Sequence, residues 1–207
     1  QRGRIRGGCH QIQHRDAHGL ACSSGDTGST ALRESGGTGE GGDEERGYGM
    51  TSPRIVCRFS CGAASAVATK LILSEFHADR VVIINAFVKE EHDDNRRFLR
   101  NCEDWFKHRI TVLRDTKFGA STNEVWRRER FMMGRHGAPC SRALKRNLLD
   151  SFRQPGDVTV LGFTAEEQGR LDRFFDPDAD CLPRAPLIER GLMKADCLAI
   201  VERAGIE

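Results

Sequence analysis

The chain has 207 residues, 30% of them charged, a mean hydropathy of −0.51 and a formal net charge of +2. That length supports one domain with a core of its own. The near balance of charge removes any global electrostatic argument for a nucleic-acid partner, and the longest apolar run, around Val81 to Val88, is too short to cross a bilayer.

The first fifty residues differ in composition from the rest. Thirteen of the 22 glycines lie there, with many Ser, Thr, Asp, Glu and Arg residues and almost no large apolar ones. Such a segment buries too little surface to offset its ordering entropy, so residues 1–50 read as a disordered tail, not necessarily native, ahead of a domain at 51–207. Arg2, Arg4 and Arg6 leave an RNA-binding tail open, although a solvated tail is the simpler reading. The tail lacks the apolar core of a secretory signal. The first methionine is Met50, which suggests a natural start there.

From Arg54 onward strands alternate with helices. Ile55 to Phe59 reads as a strand, and Ala63 to about Phe76 as a helix with Ala64, Val67, Ala68, Leu71 and Ile72 on one face. Val81 to Ile84 is a continuous apolar strand, as in a parallel sheet covered on both faces. A helix is predicted from Asp93 to about His108, burying Phe98, Cys102, Trp105 and Phe106, then a short strand, Ile110 to Leu113. Thr122 to Phe131 reads as a helix burying Val125 and Trp126. After the break Gly134 to Pro139, Ser141 is expected to cap a helix carrying Leu144, Leu148 and Phe152. Val158 to Leu161 is a buried strand and Thr164 to about Phe175 a helix. A Pro/Asp-rich loop leads to Pro186-Leu187-Ile188, and the last helix runs from about Met193 to Ala204. The alternation predicts an α/β fold with a mainly parallel sheet flanked by helices. Ligands of such sheets bind at the carboxyl ends of strands, near a topological switch point.

Three predicted strand ends carry polar groups. The first leads into Ser60-Cys61-Gly62-Ala63-Ala64-Ser65. A strand, a small-residue turn and a helix start together make an anion site, because the first helical N–H groups have no internal partner and the dipole adds positive charge. Gly62 is expected to supply backbone angles closed to other residues, and Ser60 and Ser65 to add hydroxyls. A plain tight turn is the alternative. The second strand ends at Asn85, followed by Lys89-Glu90-Glu91-His92-Asp93-Asp94, a run that reads most simply as a solvated surface. The fourth strand ends at Gly162, then Thr164, Glu167 and Arg170. Thr164 with Glu167 also fits a helix capping box, whereas Arg170 has no local duty visible in the sequence.

A further element is Pro139-Cys140-Ser141-Arg142-Ala143-Leu144-Lys145. Arg142, Lys145 and Arg146 crowd a helix start where the dipole disfavours cations, which points to a bound anion. The alternative is a decorated surface helix. Cys140, just before that helix start, is the candidate nucleophile among eight cysteines. No two cysteines stand as C-x-x-C, so the sequence gives no support for a zinc site. A reduced, cytoplasmic protein fits this cysteine usage better than a disulfide scaffold.

These motifs resemble the phosphoadenosine phosphosulfate (PAPS) reductase-like branch of the PP-loop, or adenine nucleotide alpha hydrolase, superfamily. The Ser-x-Gly-x-x-Ser loop stands as Ser60 to Ser65, the Cys-Ser/Thr-x-x-Leu-Lys element as Cys140 to Lys145, and Gly-Ile-Arg-x-x-Glu-Ser-x-Arg is partly matched by Gly162 to Arg170. The likeness is nearest to stand-alone, phage- or prophage-type members, which would place the protein in a host cytoplasm. It implies a Rossmann-like, HUP-type sheet binding ATP or PAPS. Ser60, Cys61, Gly62, Ala63, Ala64, Ser65, Asn85, Ser141, Arg142, Gly162 and Glu167 would form the nucleotide site, with the adenine near Asn85 to Phe87. Cys140, Lys145 and Arg170 would be catalytic, and Glu91, Asp93 or Asp94 could hold Mg²⁺.

Two chemistries follow: thiol-dependent reduction of an adenylyl sulfate, or cleavage of ATP between the α and β phosphates to adenylate an acceptor. Their partners would be a thiol reductant, a sulfur donor or a nucleic-acid acceptor. A non-catalytic nucleotide- or nucleic-acid-binding module is the alternative. Departures from the pattern are Cys61 for glycine, Ala64 for an acid and Thr164 for arginine. The Cys-x-x-Cys or Glu-Cys-Gly segment that such chains carry near the C-terminus is also missing, which suggests a chain that continues past Glu207.

Overall fold

The computed structural model describes residues 53–134, 137–174 and 182–206. The expected tail at 1–50, the end of the predicted helix at Phe175, and Cys9, Cys22 and Cys181 lie outside the described residues. Five strands form one sheet: β1 (Ile55–Arg58), β2 (Val81–Phe87), β3 (Ile110–Arg114), β4 (Val158–Val160) and β5 (Leu182–Arg184). Their order is β3-β2-β1-β4-β5 and every pairing is parallel. Ile55 lies between Val81 and Val158, so the chain leaves β1 to one side for β2 and later returns to its other side for β4. That reversal makes the β1/β4 junction the switch point.

Alternation along β1 sets the two faces. Ile55, Cys57 and Phe59 join Val81, Ile83 and Val160 in one buried cluster. It is covered by α1 (Ala63–Glu75), α2 (Asp94–Phe106) and the last helix (Lys194–Arg203), which supply Ala66, Ile72, Cys102, Phe106, Cys197 and Val201. Arg58, of opposite parity, bonds Asp150 at 2.5 Å on the other face. Asp150 belongs to a continuous helix over residues 139–151. A sheet wrapped on both faces explains the unbroken apolar run of β2.

Three sequence expectations are corrected in local detail. The segment expected as loop before Pro186 contains the strand β5: it has three residues with Pro183 in the middle, and proline is tolerated in a sheet on an edge such as this one. The 139–151 helix begins at Pro139 with Ala138 as its cap, so Ser141 lies inside the helix and caps nothing. Proline suits the first helical position, where its missing N–H is not needed. Pro186–Glu189 forms another short helix on the same principle.

The helix α3 (Thr122–Glu129) ends before the expected Phe131, because Arg130 turns left-handed at φ 51. Among the described residues no helix is long and apolar enough to cross a membrane.

Candidate functional site

Parallel pairing sets the carboxyl ends of β2, β1 and β4 side by side, bringing together the three polar strand ends picked out in sequence. The loop Ser60–Ser65 leaves β1 and enters α1 at this junction. Ala66 N–H makes the first helical bond, to Gly62 O at 3.0 Å, so the N–H groups of Ala63, Ala64 and Ser65 open the helix without acceptors inside it. Ser65 organises the turn. Its hydroxyl accepts from Ser60 N–H at 3.1 Å and donates to Gly62 O at 2.8 Å. Ser60 is exposed and its hydroxyl lies 3.2 Å from that of Ser65.

The expected role of Gly62 is corrected. Gly62 is extended, at φ −128 and ψ 154, and the left-handed residue is Cys61, at φ 54. A Cβ on Gly62 would meet only Ser60 Oγ, at 3.9 Å. The tight glycine is Gly162. A Cβ there would lie 2.7 Å from Ser65 Cα and 2.8 Å from Ser65 N. Gly162 therefore lets the end of β4 rest directly on the start of α1, and its absent side chain shapes the switch point.

Asn85, buried at the end of β2, donates to Phe59 O at 2.9 Å and to Cys61 Sγ at 3.4 Å. It ties the end of β2 to the Ser60–Ser65 loop. Burial first, and then the charge of Glu91, push the Cys61 thiol up to about 11, against the opposing pull of Lys145 and Asn85. Cys61 is thus a neutral thiol at physiological pH.

Beside this loop opens a cavity of about 190 Å³, lined by Cys61, Asn85, Phe87 and Val88 from the β1 and β2 ends. Val112 and Arg114 of β3, and Asn95, Arg96, Leu99 and Arg100 of α2, complete it with Glu91 and His92. The Arg114 guanidinium stacks 3.9 Å from the Phe87 ring centroid, with Arg96 at 5.3 Å. Asn85 and Phe87, where the sequence reading sets the adenine, line this cavity. The α2 and β3 contributions were missed, although Arg96 and Arg100 stand four residues apart, on one helical face.

The charged run after β2 is not simple solvated surface. Glu90 accepts from Ser121 Oγ at 2.5 Å and from Thr122 N–H at 2.8 Å, tying the loop to the start of α3. Burial raises its pKa, but these bonds outweigh it and lower the carboxyl to about 2. Glu91 pairs with Lys145, bringing the 139–151 helix to the cavity. Asp94 pairs with Arg97 at 2.6 Å, and Asp93 is exposed at the cap of α2. Among the described residues no three His, Cys, Asp or Glu side chains gather to hold a metal. Glu91, Asp93 and Asp94 thus form no ready-made Mg²⁺ cage.

The remaining candidates divide. Thr164 and Glu167 form the capping box, with Thr164 N–H on Glu167 Oε2 at 3.1 Å. Burial raises Glu167, yet that bond and Arg170 hold it below the ordinary carboxylate value. Arg170 does have local duties: it pairs with Glu167 and lies 4.6 Å from the Phe163 ring centroid. Cys140 is half-buried against Val88, Phe118, Val125 and Leu144. Ser141 and Arg142 are exposed and line a separate hollow that shares no lining residue with the cavity.

No protein-family model matches the chain, and no curated protein matches it. Among the solved structures that match is phosphoadenylyl-sulfate (PAPS) reductase from Candida auris, in a phosphate complex. It is 11% identical, with a TM-score of 0.53, over 76% of this chain and 75% of that one. The two share a fold.

Proposed function

We propose that this chain is an adenine-nucleotide enzyme of the PAPS reductase-like, PP-loop kind. The observation that carries the reading is the junction itself: an open helix start at Ser60–Ser65, at the switch point, beside a cavity with an aromatic and arginine wall. The loop is suited to a phosphate or sulfate. The cavity is suited to a flat base, with Phe87, Val112 and Leu99 as apolar surfaces. The C. auris enzyme named above, bearing PAPS in its name and phosphate in its structure, supports this reading by fold.

Of the two chemistries, cleavage of ATP at the α-phosphorus is favoured by the state of the thiols. Cys61 is held neutral at the loop, and Cys140 is packed into the apolar cluster of Val88, Phe118, Val125 and Leu144. In this reaction an acceptor oxygen bonds to the α-phosphorus, the bond to the β-phosphate oxygen breaks, and pyrophosphate leaves. Lys145, once released from Glu91, would be the cation to meet the departing charge. Arg170 would first have to leave Glu167. Mg²⁺, arriving on the phosphates of ATP, would supply further charge neutralisation, with Glu91 the carboxylate that lines the cavity.

A thermal-shift panel of ATP, AMP, adenylyl sulfate and PAPS tests the reading. A ligand at ~100 times its Kd should stabilise the fold by about 2.7 kcal/mol. Silence of all four ligands would remove the nucleotide reading. A shift by PAPS with no pyrophosphate released from ATP would move the assignment to sulfonucleotide reduction.

A further inference from the structure

A second surface lies apart from the nucleotide cavity. Phe131, Met132 and Met133 follow α3 in sequence and are 48%, 59% and 74% exposed. Three consecutive large apolar side chains in solvent mark a binding surface more often than a folding requirement. Beside them is a hollow of about 390 Å³ lined by Phe131, Gly134, Pro139, Ser141, Arg142 and Arg146. Among the described residues no acidic side chain lines it. Arg142 and Arg146, and Arg130 next to Phe131 in sequence, have no ion-pair partner among the described residues. A second hollow of about 430 Å³ adjoins the first, sharing Pro139 and Arg142 and adding Lys117, Asp115 and Glu129. The charged residues lining the first hollow are cationic, and those lining the second are of both signs.

We propose that the first hollow seats an unstacked base of a single-stranded nucleic acid. Phe131 provides the stacking face, Met132 and Met133 flank the neighbouring nucleotide, and Arg142 and Arg146 take the adjoining phosphates. Aromatic stacking joined to a cationic track is the general chemistry of single-strand binding. Charge complementarity selects an anionic partner. The concavity selects a base over a lipid surface, which an apolar tip would enter as a projection. A base paired in a duplex could not enter the hollow. The surface stands independently of the nucleotide reading. It shares with the nucleotide site only the 139–151 helix, whose Lys145 reaches Glu91 while Arg142 and Arg146 line the hollow.

The test is fluorescence anisotropy with a labelled single strand of about 12 nucleotides, within the roughly 4–16 covered by known single-strand modules. It is run as DNA, as RNA of the same sequence and as the blunt duplex, alongside phosphatidylglycerol vesicles. Because the contacts are to bases and phosphates, both single strands should bind, each at least about tenfold more tightly than the duplex. Phe131→Ser should weaken single-strand binding about tenfold or more. Arg142→Gln and Arg146→Gln should each flatten the plot of log K against log salt by about 0.7. All three positions are exposed, so unchanged circular-dichroism melts are expected, and the ATP-induced thermal shift of Phe131→Ser should match that of the wild type. Equal binding of duplex and single strand would overturn the proposal. So would full affinity in Phe131→Ser, or Phe131-dependent capture by vesicles without oligonucleotide binding.

Discussion

At the scale of single residues, the loop assigns its backbone strain to Cys61. A left-handed conformation costs a residue with a Cβ about 1–2 kcal/mol, and a β-branched residue more. Cys61→Gly removes that cost but loses the thiol's packing and its contact with Asn85. Stability should therefore stay within about 1 kcal/mol of wild type, whereas Cys61→Val should lose at least about 1–2 kcal/mol. Equal losses in urea titrations of the two variants would show that thiol packing governs the site. Gly62, extended and with open space at its missing Cβ, should tolerate Ala in the ligand-free fold. Gly162→Ala should not. Its new methyl would overlap the Ser65 backbone and should cost about 1–3 kcal/mol, while removing any nucleotide-induced thermal shift. A Gly162→Ala protein with normal melting and normal ligand response would mean that the β4–α1 contact is not needed. The sequence made the loop legible as a unit but not the roles within it. A glycine and a cysteine side by side do not say which of them turns left-handed, and only the meeting of Gly162 with Ser65, 97 positions apart in sequence, shows which glycine is sterically required.

At the scale of elements, the same contrast between local and distant information recurs. The helix α2 was readable from spacing because Cys102 and Phe106 repeat at helical period, whereas α1 is buried continuously from Ser65 to Thr69 and again at Ile72. The start of the 139–151 helix was misplaced by three residues, with Ser141 expected as the cap where Ala138 stands, because Ser141 and Pro139 both signal a helix beginning, and proline prevailed. The Glu90 bonds to α3 could not be read at all, since a run of charges does not say which member meets a helix 31 residues later.

Between strands, Arg54 and Asp157 join the entries to β1 and β4. Asp157, only 3% exposed, accepts from Arg54 at 3.0 and 2.7 Å and from Gln154 N–H at 2.8 Å. Burial alone would raise its pKa, but Arg54 and that N–H outweigh burial and hold it below the ordinary 3.8. A depressed folded pKa means that the stabilisation is complete above the ordinary value and is lost as pH falls through the folded one. Asp157→Asn should cost about 1–3 kcal/mol at neutral pH, because it leaves the half-buried Arg54 uncompensated. The gap between wild type and variant should narrow as acid is added below about pH 4. A gap that stays constant through that range in urea titrations would assign the loss to packing instead.

At the scale of the whole molecule, strand alternation made the α/β class legible, and the ends of β1, β2 and β4 pointed to one edge of the sheet before their order was known. The order itself was hidden, because parallel neighbours are set by crossovers and not by adjacent residues. Among the described residues, the two apolar clusters are built from residues 55–206. Residues 1–50 offer few large apolar side chains that could extend them. A chain shortened to begin at Met50 should therefore keep its Tm within about 3 °C, the shift that ~1 kcal/mol gives in a domain of this size. It should also keep its response to ATP or PAPS, since the loop, the cavity and Lys145 all lie beyond the cut. The two readouts separate two roles for the early segment. A fall in Tm would give it part of the fold, and an unchanged Tm with a lost ligand response would give it part of the site. Retention of both would assign folding and nucleotide binding alike to the sheet and its carboxyl edge.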